Sequence, residues 1–170
     1  TPVVRGTFHA PTRAPILTDR DVRFEVSGGN LGYLQTKGSL SSPFGSNAAG
    51  RLSFVVTQRD GTIRNVATGE DVNTLNNVGV KGQIRFLPSE RFVLTATADY
   101  VRQRPNGYAQ VPAGIADNLA NPSRRFPAIA TDLGYALPSL NPFDRVIDQN
   151  TPWRSDQDFG GAALSADWEL

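Results

Sequence analysis

Apolar and polar residues alternate with a period of two in five segments: Val22-Arg23-Phe24-Glu25-Val26, Leu34 to Leu40, Val80 to Phe86, Phe92 to Tyr100 and Leu164 to Leu170. A sixth, Leu52 to Gln58, alternates less cleanly. Successive side chains of an extended chain point to opposite faces, so this period predicts strands. The expected strands cover 21–28, 32–42, 48–59, 78–87, 92–104 and 161–170. Gly28-Gly29-Asn30 reads as a compact turn, with residues that tolerate positive φ. Pro43 to Asn47 and Pro88-Ser89-Glu90-Arg91 read as tight turns. Between them lie a polar loop over 60–77, punctuated by Asp60-Gly61, Thr68-Gly69 and Asn76-Asn77, and a proline-rich span over 105–160. Within that span, 113–119 and 126–135 read as helical turns. Residues 1–20, with Pro2, Pro11 and Pro15, read as an irregular lead-in.

If the first strand runs upward, the links 28–30, 60–77 and 105–160 fall at the upper end and the two tight turns at the lower. Long loops at one end and short turns at the other are the plan of a transmembrane β-barrel. The expected fold is therefore all-β: an antiparallel up-and-down meander of about six strands, an arc of a larger transmembrane barrel. The 105–160 span exceeds ordinary loop lengths, which predicts a functional segment, a disordered one, or both.

Each strand can face two ways. Turning Lys81 and Arg85 toward lipid costs about 2 to 4 kcal/mol each at mid-bilayer. The opposite register sends Val80, Gly82, Ile84 and Phe86 outward. By the same parity Val22, Phe24 and Val26 face out, as do Leu34, Thr36, Gly38 and Leu40, then Phe92, Leu94, Ala96, Ala98 and Tyr100, and finally Leu164, Ala166, Trp168 and Leu170. The polar set that lines the lumen is then Arg23, Glu25, Gln35, Lys37, Lys81, Gln83, Arg85 and Asp99. Phe86, Phe92 and Trp168 share the outward parity near the tight-turn end, as an interfacial aromatic girdle would. Tyr100, eight residues beyond Phe92, stands roughly 21 Å higher in a strand tilted near 40°, close to the apolar band of about 25 Å in such barrels. A soluble antiparallel sheet, apolar side inward, gives the same alternation.

Composition narrows the chemistry more than the fold. The 170 residues carry 17 basic and 16 acidic side chains, so nothing pulls the chain in bulk toward nucleic acid, and no basic patch with interleaved aromatics stands out. No apolar run approaches the roughly 18 residues of a membrane helix, which leaves strand spans open. With no cysteine, disulfides, thiolate catalysis and cysteine zinc sites are excluded. With a single histidine, His9, the common catalytic triads have little to draw on, and no enzyme activity or cofactor is expected. The chain starts at Thr1 and contains no methionine, so it reads as a piece of something longer.

The stretch from Phe24 to Gln110 resembles the first barrel strands of TonB-dependent outer-membrane receptors. The residues that carry the resemblance are Phe24 to Tyr33 (FEVSGGNLGY), Ala49 to Ser53 (AGRLS), Arg59 to Asp71 (RDGTIRNVATGED), Gly79 to Gln83 (GVKGQ), Leu87-Pro88-Ser89 and Ala98-Asp99-Tyr100. Trp168-Glu169-Leu170 extends it toward the end of the chain. Thr12-Arg13-Ala14-Pro15 is similar to the family's hand-over from plug to barrel, although Arg5 to Ala10 is an unusual version of it. The resemblance implies residues 1–20 as hand-over and 21–170 as part of a barrel of about 22 strands, filled by a plug domain that is not in this stretch. It further implies a Gram-negative outer-membrane location and uptake of a ferric siderophore, or less readily cobalamin or a glycan. The implied partners are outer-membrane lipid, the plug and remaining strands, and TonB through the plug.

The long loop carries Arg124, Arg125, Asp132, Asp144, Arg145, Asp148, Trp153, Arg154, Asp156 and Asp158; its arginines and aromatic, foremost Arg124, Arg125, Trp153 and Arg154, are the loop candidates for gripping an anionic chelate. Glu70, Asp71 and Asn73 offer loop oxygens to calcium, but a solvated loop explains them as well, and no metal site is expected. Two other functions stay open: a passive porin, with no plug, and a soluble β-sandwich binding module.

Overall fold

The computed structural model describes residues 13–116, 124–151 and 154–169. Six strands form one antiparallel sheet: β1 (Asp21–Gly28), β2 (Leu34–Pro43), β3 (Ala48–Arg59), β6 (Leu75–Ser89), β7 (Phe92–Gln103) and β9 (Gln157–Trp168). They are ordered as they occur in the chain, so each pairs with its neighbours and none crosses over. This is the all-β up-and-down meander read from the alternation. The sheet is open: β1 and β9 are its two edges.

Register places the side chains without ambiguity. One row across the sheet reads Val22, Leu40, Leu52, Gly82, Ala98 and Ala162; the next on that face reads Phe24, Gly38, Phe54, Val80, Tyr100 and Gly160. The opposite face carries Arg23, Ser39, Ser53, Lys81, Asp99 and Gly161 in one row. β3, irregular by sequence, fits the pattern, with Leu52, Phe54 and Val56 on the apolar side. Two glycines of that side are covered by aromatic rings. A Cβ at Gly38 would come within 2.4 Å of the Phe54 ring directly opposite, and one at Gly50 within 2.5 Å of Phe44. At the tight-turn end Phe92 and Trp168 face each other across β7 and β9, ring centroids 6.5 Å apart and edge to face, a geometry the ring quadrupoles favour.

Several boundaries move. β6 begins at Leu75, three residues before the expected strand, because Leu75 and Asn76 continue the ladder opposite Arg59 and Gln58. It runs through Pro88 to Ser89, with a register shift between Phe86 and Ser89 that absorbs the proline and leaves Glu90-Arg91 as the turn. β9 begins at Gln157 rather than 161 and ends at Trp168; Leu170 lies outside the described residues. The first turn is longer than Gly28-Asn30: Gly29 and Tyr33 close it through Gly29 N–H to Tyr33 O at 2.9 Å.

The largest departure is the long-loop end, expected as a polar loop and a proline-rich span with no more than helical turns over 113–119 and 126–135. Ile63–Asn65 forms β4 and Asp71–Val72 forms β5, antiparallel to it; Val146–Ile147 forms β8, which runs parallel to β4. Ile63, Val72 and Ile147 are buried against one another, with Ala109 and Val111 packed beside them. Burying three branched side chains, at about 1.5 to 3 kcal/mol each, explains why two distant loops fold into one cap. A short helix, α1 (Phe126–Asp132), and a 3-10 turn over Pro142–Asp144 complete it. The helical turn expected over 113–119 is absent in 113–116; the rest of it lies outside the described residues.

Candidate functional site

The eight residues assigned by sequence to the polar face do share one face. Arg23, Glu25, Gln35, Lys37, Lys81, Gln83, Arg85 and Asp99 all fall on the rows opposite to Phe24, Leu52 and Ile84. Lys37 Nζ stands 3.0 Å from Glu25 Oε1 on the neighbouring strand, and Gln35 Nε2 donates to Thr57 Oγ1 at 2.9 Å. Lys81, Arg85 and Asp99 have no side-chain partner among the described residues, so this side of β6 and β7 is an open polar surface.

At its tight-turn end the polar face is covered by the chain itself. The lead-in segment, described from Arg13, lays Pro15 fully buried against it, and the Ile16 N–H donates to Ser41 Oγ at 3.0 Å. Beneath lie Ala49 and Arg51, both buried. The Arg51 Nη2 reaches Asp21 Oδ2 at 3.3 Å and Ser39 Oγ at 3.2 Å, while Nη1 is buried with no partner among the described residues. The apolar face has no such cover. Val22, Phe24, Leu164 and Trp168 are 70, 69, 75 and 72% exposed. The usual order of a water-soluble sheet, apolar side packed and polar side open, is therefore absent: the apolar side is bare, and the packing at this end lies on the polar side.

The apolar face ends at Tyr100. The next positions of that parity are Arg102, paired with Asp158 and Val78 in register, and Arg104. The Tyr100 hydroxyl and the Arg104 guanidinium both donate to the Asp158 carboxylate, and Arg104 Nε lies 3.8 Å from Asp156. A strip of paired charges thus borders the apolar surface beneath the cap.

Asn65 joins the two halves of the cap. Buried in β4, its Nδ2 donates to the Gln149 carbonyl at 2.7 Å, and its Oδ1 accepts from Gln149 N at 3.1 Å and Ala67 N at 3.1 Å. Asn73 N–H donates to Asn106 O at 2.8 Å, and Asn106 N–H to Thr74 Oγ1 at 2.8 Å. Toward the outside, the Tyr135 hydroxyl donates to Asp148, and the loss of that bond on ionisation raises the phenol above its ordinary pKa.

The cap also holds a cleft of about 380 Å³, lined by Arg59, Thr62, Asn73 and Arg145 beside Ile63 and Val111. Arg145 is one of the long-loop arginines that the sequence offers to an anion, whereas Arg59 is not singled out there. Arg59 looks there like the last residue of a strand, and nothing in the linear order brings Arg145 to it. Of the four loop candidates, Arg124 and Arg125 precede α1 and Arg154 makes an isolated bridge with Asn106; Trp153 lies outside the described residues. Of the three calcium candidates, Asp71 pairs with Arg64 at 3.3 Å and Asn73 Nδ2 donates to Thr62. Among the described residues no three His, Asp or Glu side chains gather as metal ligands, and no helix is long and apolar enough to cross a membrane. Compared with protein-family models, with curated proteins and with solved structures, the chain matches none.

Proposed function

We propose that the chain is an arc of the barrel of an outer-membrane transporter of the TonB-dependent type, which takes up a scarce ligand such as a ferric siderophore. The observation that carries this reading is the uncovered apolar face. A bare sheet face bearing Val22, Phe24, Leu52, Ile84, Leu164 and Trp168 is a heavy liability in water and the natural outer wall of a barrel in lipid. The polar face, lined by Arg23, Lys37, Lys81, Arg85 and Asp99, then borders the lumen. The lead-in segment on that face supports the same orientation, since a chain arriving from a domain inside the barrel must reach β1 from the luminal side. Both long loops fold into a cap at one end, which supports an outer, ligand-meeting rim, and the Phe92–Trp168 pair supports an interfacial girdle at the other.

The test is fractionation and bilayer conductance of the full-length protein expressed from its own gene. The transporter reading expects it in the outer-membrane fraction, extracted only by detergent, with no steady conductance because the lumen is filled. Recovery as a soluble monomer overturns the membrane reading. An outer-membrane protein with stable open-channel conductance is a passive porin instead.

A further inference from the structure

Two arginines line the cap cleft with no carboxylate among its described walls. Arg59 donates through Nη2 to the Asn73 carbonyl at 2.7 Å and through Nε to the Asp60 carbonyl at 3.4 Å. Those dipoles hold the guanidinium in place without cancelling its charge. Arg145 makes no side-chain hydrogen bond or ion pair among the described residues. Of the neighbouring carboxylates, Asp144 accepts from Ser139 Oγ at 2.5 Å and Asn141 Nδ2 at 2.9 Å, Asp71 is held by Arg64, and Asp60, next to Arg59 in the chain, forms no ion pair with it among the described residues.

A second observation points to the same place. Three non-glycine described residues adopt positive φ, and two of them, Asn73 (66°) and Arg145 (51°), line this cleft. Asparagine tolerates that region and arginine does not. The strained residue is over-determined from both sides: its N–H donates to Pro142 O at 3.4 Å, and its carbonyl accepts from Arg64 N at 2.8 Å. Backbone strain held this way concentrates at ligand clamps. Here it fixes the base of a cationic side chain at the rim of a cleft, opposite a second cation supplied by another loop.

We propose that this cleft binds a small oxyanion, carboxylate or phosphate, between Arg59 and Arg145, with Thr62 and Asn73 as neutral partners. Guanidinium groups suit both anions because their donors match two oxygens at once. The volume is at the lower end for small-molecule pockets, which favours a compact anion or one arm of a larger chelate. The two walls come from different loops, so occupancy would also tie the halves of the cap together. This inference depends on the membrane reading only for the side of the membrane on which the cleft opens.

The experiment is calorimetric titration of the full-length protein, in detergent, with malonate and separately with inorganic phosphate. One of the two should saturate with a Kd of about 1 mM or tighter, and binding should weaken as sodium chloride screens the arginines. The variant Arg145→Asn removes the charge at a position where asparagine is at ease; it should fold at least as well by circular dichroism and bind roughly tenfold more weakly or worse. Arg59→Gln should do the same, while Arg145→Lys, which keeps the charge but not the paired donors, recovers only part of the affinity. Saturation by neither anion in the wild type, or wild-type affinity in Arg145→Asn, overturns the site. A protein that binds the anion but stays out of the membrane keeps this site and refutes the membrane reading; the converse refutes the site alone.

Discussion

Asn65 grips the backbone of Gln149 from both directions, donating to its carbonyl at 2.7 Å and accepting from its N–H at 3.1 Å, across 84 residues of chain. A side-chain amide alone can do both, since it carries a donor and an acceptor on one carbon. It is the point at which the β3–β6 loop and the β7–β9 loop become one unit.

Replacing Asn65 with alanine should leave the Gln149 groups and the Ala67 N–H without partners. We expect local destabilisation of about 2 to 3 kcal/mol, read as accelerated hydrogen exchange in 62–74 and 145–149 with the strand ladder unchanged. Asn65→Asp, which can accept but not donate to the carbonyl, should be nearly as damaging.

Asp21 and Arg51 make the second prediction. The Arg51 side chain is 5% exposed, and among the described residues its only charged partner is Asp21. Asp21→Asn should strand a buried cation and cost about 3 kcal/mol or more in unfolding free energy. Arg51→Leu, which removes the charge along with the need for a partner, should cost clearly less. Equal losses in the two variants would show that Asp21 does not compensate the buried Arg51 charge.

The two faces of β6 offer a direct test of orientation. Ile84→Arg should destabilise the full-length protein in bilayers by about 2 to 4 kcal/mol if Ile84 meets lipid near mid-depth. Lys81→Ala, on the other face, should change stability little. The opposite order would place the polar face outward.

Tyr135 gives a pH prediction. Its phenol is raised above the ordinary value of about 10 by its bond to Asp148, which ionisation would break. A folded-state pKa above the unfolded one means the bond contributes in full below the ordinary tyrosine pKa and is lost only as pH rises through the raised one. Subtracting the ultraviolet titration of Tyr135→Phe from that of the wild type should isolate one phenol that ionises late.

The strand ladder was legible because one rule governs it. Alternation over 80–86 and 92–100 fixed both the strands and the faces of Lys81, Arg85 and Asp99. It failed where local chemistry overrides parity. Asp158 sits on the apolar parity and Phe159 on the polar one, so the start of β9 looked like loop; in the structure Asp158 is held by Tyr100 and Arg104, a pairing 54 to 58 residues distant. β3 looked irregular because Val55 is apolar on the polar parity, opposite Lys37, and Gln58 is polar on the apolar one, opposite Leu34. The cap was illegible for a related reason. Ile63, Val72 and Ile147 lie in segments too short for any period, and only their meeting gives them meaning. Arg59 and Arg145 share that obscurity, since the cleft they line exists only once the loops have joined.

Ser41 is held twice. Its backbone lies opposite Asp21 in the ladder, and its hydroxyl takes the Ile16 N–H from the polar side. The chain between these contacts is a return of four residues, Leu17 to Arg20. A mechanical load applied ahead of Arg13 would therefore reach one hydrogen bond and the packing of Pro15 before it reached the eight paired residues of β1. The lead-in segment would peel away at low force while the ladder behind it stayed loaded across its whole length. The join between the sheet and whatever precedes it is thus built as a weak link in series with a strong one.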